Sequence, residues 1–191
     1  MTEPVLRWCR EIDQHLARLG RLELLNSLMP GVPQSESHRK FAQRGLSNTD
    51  QLEELLTWHD GLDPESNALI GQICIMPGFY LLGLQEILQA HQDFRDDDRW
   101  NPNWIPFMTD GGGDYMFINT ARPEAPQVHH YRSVEFEHPA EYTSIACMLR
   151  TISKAYATEA FFIDGERIRA HRDQYALIAA EVNPDIEWWL T

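Results

Sequence analysis

Basic residues are scarce in this chain. Sixteen Lys plus Arg stand against 29 Asp plus Glu in 191 residues, for a formal charge of −13 and a pI near 4.9. That sign repels phosphate backbones and anionic lipid, so nucleic acid and membranes are excluded as expected partners. Cysteine is sparse too. Cys9, Cys74 and Cys147 are widely spaced, odd in number and form no CxxC. Neither a disulfide framework nor a zinc knuckle follows, and reduced thiols in a cytoplasmic protein are predicted. No run of eighteen apolar residues occurs, and the charged start MTEPVLRWCREID offers no apolar stretch for an export signal.

Catalytic and metal signatures are missing as well. The chain contains no HExxH, no GxSxG elbow, no GxxxxGK[ST] and no GxGxxG. His129 and His130 are adjacent on a predicted strand, where neighbouring side chains point to opposite faces and cannot share an ion. Asp96, Asp97 and Asp98 lack the spaced oxygens, sixth-place glycine and distal Glu of a calcium loop. Glu53, Glu54, Glu135 and Glu137 include carboxylates that could form an acid and base pair, but such work needs a shared cleft, which spacing alone does not show. Neither a metal nor a cofactor is expected, and an enzyme is the minor reading.

What is present is an ordinary globular composition, 43% hydrophobic and 24% charged, which supports one folded domain over residues 1–191. Val5, Trp8, Cys9, Ile12, Leu16 and Leu19 recur at helical spacing, with Thr2 as a cap and Gly20 as a stop. Met29 to Pro33 is a breaker, followed by a short helix near Ser37 to Arg44. Asn48 or Thr49 caps the next helix, lined by Leu52, Leu55, Leu56 and His59 and ended by Gly61. IGQICIM and FYLLG predict two strands around Pro77-Gly78, and Leu84 to His91 predicts a helix. WIPFM and YMFINT predict strands joined by a tight turn at Asp110-Gly-Gly-Gly-Asp114, whose carboxylates argue against phosphate. At least one of those glycines should take a positive φ. Gln127 to Arg132 predicts a further strand, and Ile145 to Tyr156 a helix. AFFID with a turn at Asp164-Gly165, then a helix from His171 to Val182, completes the chain. Helices, then clustered strands, then helices give α+β, with a mostly antiparallel central sheet flanked by helices.

Charge is concentrated in the middle. Gly45 to Ala121 holds thirteen acids and only two bases, Arg95 and Arg99, whereas the rest is nearly balanced. A candidate partner-binding face therefore comprises Glu53, Glu54, Asp60, Asp63, Asp96, Asp97, Asp98, Asp110 and Asp114, with Trp100 as a surface aromatic in the acidic loop. Trp104 and Phe107 are expected in the core from one strand.

The order of motifs resembles the SMI1/KNR4 family of the SUKH superfamily. LLTWHDGL at 55–62 looks like the family's helix-ending signature, and MPGFYLLGLQEI at 76–87 like its strand leading into a helix. WNPNWIPFMTDGGGDYMFIN at 100–119 carries the most specific likeness. The resemblance covers about residues 4–162 and leaves 163–191 as a strand and helix extension. It implies an α+β fold and protein binding without catalysis. Bacterial members look like immunity proteins that neutralise polymorphic toxins, often nucleases, while fungal relatives look like regulatory scaffolds. The expected partner is a basic protein, with the regulatory scaffold as the alternative and an acidic hydrolase behind both.

Overall fold

The computed structural model describes residues 4–121 and 126–190. Helix α1 (Val5–Arg18) forms where the apolar spacing places it, and Val5, Cys9, Ile12 and Leu16 are completely buried. Pro4 is its N-cap; the predicted cap Thr2 lies outside the described residues. After Gly20, at φ +69°, the chain forms α2 (Leu22–Ser27) and β1 (Leu28–Pro30), the latter reaching into the predicted breaker. Pro30 is tolerated there because β1 pairs with one strand only.

Helix α3 (Gln34–Ala42) begins three residues before the expected Ser37, and α4 (Asp50–Trp58) forms as expected but ends before His59. His59 belongs to β2 (His59–Leu62), the partner of β1, and Gly61 sits inside that strand at φ +71° rather than at the helix end. Its role is close approach: a Cβ there would stand 2.3 Å from the Gly83 nitrogen.

IGQICIM is not a strand. Ile70–Ile73 coils into the short helix α5 because its polar groups are claimed locally and by Arg21. The Gln72 carboxamide oxygen accepts from the Leu69 N–H, and the buried Arg21 guanidinium donates to the Gly71 and Gln72 carbonyls at 3.0 and 2.7 Å. A single bridge, Met76 to Phe79, remains around Pro77-Gly78, followed by β3 (Tyr80–Leu81) and α6 (Leu84–Asp93).

Strands β4 (Trp104–Thr109), β5 (Tyr115–Asn119), β6 (Val128–Tyr131) and β7 (Ala140–Tyr142) complete an antiparallel sheet of order β3-β4-β5-β6-β7. Helix α7 (Ile145–Ala157) follows, capped by the Ser144 hydroxyl accepting from the Cys147 N–H. A hairpin of β8 (Phe161–Asp164) and β9 (Arg167–Ala170), helix α8 (Arg172–Val182) and a 3-10 turn at Glu187–Trp189 end the described chain. The fold is α+β, as expected.

Alternation along β5 gives the sheet two buried faces. Met116 and Ile118 join Ile105, Phe107 and Met108 in the main core with the helices. Phe117 points the other way, into a second cluster with Trp100 and Tyr131, against which Phe94, Trp104 and Tyr115 pack. One sequence expectation holds only for Phe107, which is buried in the main core, and another fails. Trp104 and Phe107 enter different cores, because three residues apart on a strand they face opposite sides, and Trp104 is only half-buried. Trp100 is not a surface aromatic: it is 6% exposed and seals the back of the sheet. Burying each such ring contributes roughly 1.5–3 kcal/mol. No described helix is long and apolar enough to cross a membrane.

Candidate functional site

The acids of the central segment differ in what holds them: some accept from backbone N–H groups, others from side chains, and Asp96 and Asp98 are exposed. Glu53 is 2% exposed, accepting from the Thr49 hydroxyl at 2.6 Å and lying 3.1 Å from His38. It is a structural group of α4, so its place on a partner-binding face is corrected. Glu54 accepts from the Leu6 N–H in the first turn of α1, and Asp60 from the Leu84 N–H at the start of α6. Both place a negative charge at a helix N-terminus, where the aligned peptide dipoles favour it. Asp63 accepts from the Glu65 N–H within its own turn.

The remaining acids surround the glycine turn. Asp110 closes that turn by accepting from the Gly112 and Asp114 N–H groups at 2.7 and 2.9 Å. Gly111 and Gly113 stand at φ +74° and +111°, as the turn requires. Asp114 accepts from both the N–H and the hydroxyl of Ser133 at 2.9 Å. Burial opposes its ionisation, but those bonds and nearby His130 outweigh it and hold the carboxyl below its ordinary range. Asp97 forms a fork with Arg99 at 2.8 and 3.0 Å, which lowers its carboxyl pKa. Arg99 also donates to the Ser133 carbonyl at 3.0 Å, so the loop after α6, the glycine turn and the loop after β6 form one connected surface. Asp96 and Asp98 are exposed on it.

Between α6 and the glycine turn lies an open groove of about 790 Å³. Glu86, Asp93 and Asp97 line it with Tyr80 and Tyr115, and no basic side chain among the described residues does. Burial, then Glu86, raises the Tyr80 pKa above its ordinary value. Two carboxylates outside the predicted set, Glu86 and Asp93, thus share a wall with Asp97. Their placement beside Tyr80 and the turn carried no sequence signal, because the groove exists only once β4 and β5 pair. A second feature that sequence reasoning missed adjoins it. Val134 and Phe136, next to Ser133, are 88% and 92% exposed and alternate with exposed Glu135 and Glu137.

His129 and His130 do face opposite sides: His129 stacks on Phe117 of the second cluster, while His130 meets Phe79 edge-on. His130 lies between carboxylates, 3.2 Å from Glu141 and 3.5 Å from Asp114. With both nitrogens turned to internal acids, it serves the fold rather than an incoming substrate. Among the described residues, no group of three or more His, Cys, Asp or Glu is arranged to hold a metal ion.

A family model described as SMI1 / KNR4 family (SUKH-1) matches residues 49–149, from the start of α4 to the middle of α7. The chain belongs to the SMI1/KNR4 family. The matched segment contains the whole sheet, the glycine turn and the acidic groove, and the β8–β9 hairpin and α8 lie beyond it. No curated protein matches the chain.

Proposed function

We propose that this SMI1/KNR4 chain is a non-catalytic protein-binding module acting in the cytoplasm, an immunity protein that neutralises a basic toxin, often a nuclease in such systems. The observation that carries this reading is the acidic groove with its neighbouring apolar loop. Glu86, Asp93 and Asp97 flanked by Tyr80 and Tyr115 suit a Lys or Arg side chain, which gains both ion pairing and the face of an aromatic ring. Exposed Val134 and Phe136 provide the apolar anchor that acids alone lack, since a few buried large side chains dominate most interfaces. The acidic field accelerates encounter with a basic partner and weakens as salt rises.

Coexpression with the product of the adjacent gene is the test. A complex that forms with the native chain, protects the cells from that product and is lost in Asp93→Lys and Phe136→Ala supports the proposal. A stable complex unaffected by both changes would move the interface elsewhere, and absence of any complex or protection would remove the immunity role.

A further inference from the structure

On the other side of the glycine turn lies a cavity of the opposite character. It measures about 600 Å³ and is lined by Arg167, Arg169 and Arg172 together with Ile70, Pro77 and Asp110. In a chain with only 16 basic residues, three arginines at one cavity oppose the overall charge. Arg167 and Arg169 are two apart on β9 and so share a face, while Arg172 opens α8. Arg169 lies 3.5 Å from Asp164, an exposed pair that solvent weakens. Arg167 and Arg172 have no carboxylate within ion-pair distance among the described residues. Arg167 is also positioned: its stem runs along Gly71, where a Cβ would stand 2.8 Å from its Cγ.

We propose that this cavity binds a phosphate-bearing small molecule of about mononucleotide size. Guanidinium groups match phosphate oxygens in a two-pronged geometry, and two unpaired ones provide donors that need not leave another partner. A phosphate alone would leave most of 600 Å³ empty. Ile70, Pro77 and Ala170 form an apolar wall for the organic part, and Asp110 at the edge accepts from a hydroxyl or amino group while repelling a second anionic centre. All three arginines lie beyond the matched family segment, so the site is a property of this chain's C-terminal extension closing on α5.

Isothermal titration of the full chain at low salt with adenosine monophosphate, and separately with inorganic phosphate, tests this. The expected result is saturable binding of the nucleotide, weaker binding of phosphate, and at least about a tenfold loss of nucleotide affinity in the Arg167→Ala, Arg172→Ala double variant. Arg39→Ala, on α3 and outside the cavity lining, should bind as the native chain does. Single Arg167→Gln and Arg172→Gln variants take the place of the double variant if it melts early. Absence of saturable binding, native affinity in the double variant, or an equal loss in Arg39→Ala would overturn the site. Equal affinity for phosphate and nucleotide would overturn the assignment of an organic phosphoester.

Discussion

The ring of Trp100 lies flat on that of Phe94, centroids 4.0 Å apart and planes 8° from parallel. This stack closes the back of the sheet over Phe117 and Tyr131, and it pins a loop otherwise rich in exposed charge. Trp100→Ala should therefore destabilise the protein by about 3–5 kcal/mol, the range for deleting a buried large aromatic. Denaturant unfolding checks this, and a loss below about 1 kcal/mol would contradict the burial.

Acids of one segment should respond differently to substitution. Glu53→Ala leaves the Thr49 hydroxyl without its buried acceptor and should cost about 1–3 kcal/mol. Asp96→Asn and Asp98→Asn, in the exposed loop, should leave the melting temperature unchanged and slow association with a basic partner. Unfolding curves and association rates measured on the three variants separate structural carboxylates from surface ones.

Two glycines at similar φ make a controlled pair. Gly165, at +60°, has open space where a Cβ would go, so Gly165→Ala should cost only the left-handed penalty of about 1–2 kcal/mol. Gly61, at +71°, meets backbone at 2.3 Å, so Gly61→Ala should cost more. Equal melting temperatures for the two variants would show that the contact between β2 and the start of α6 can yield.

Stability should also fall as acid is added through the histidine range. Burial, then the Arg132 charge, lowers the His138 pKa from the ordinary 6.5. Its bare Nδ1 accepts from the Arg132 N–H at 3.3 Å, a bond that protonation forfeits. Because the folded state binds this proton less readily than the unfolded chain, the contribution is full above 6.5 and is lost as pH falls through the lowered value. Thermal melts from about pH 7.5 to about pH 5 should show a drop that is smaller in His138→Gln.

Much of this architecture is written locally. Amphipathic spacing alone places α1, α4, α6 and α7, because a helix needs only one apolar stripe at the right period. The β4–β5 hairpin follows from two apolar runs around glycines that must adopt positive φ. Strands β1 and β2 are invisible by the same logic: each is short, and His59 to Leu62 is extended only because Leu28 to Pro30 lies alongside.

By itself, then, the sequence determined the class of fold, the glycine turn and the excess of negative charge. The tertiary structure decided which charges remain available. Glu53, Glu54 and Asp60 meet the His38 ring, the Leu6 N–H and the Leu84 N–H, polar groups that only folding brings near, and a backbone N–H removed from water needs an acceptor. Trp100, in a polar stretch, is buried because β4, β5 and β6 present an aromatic face that only their pairing creates. The acidic groove and the arginine cavity flanking the glycine turn have the same origin. Each collects side chains from separate elements, and periodicity along one element carries no information about its neighbour across a turn.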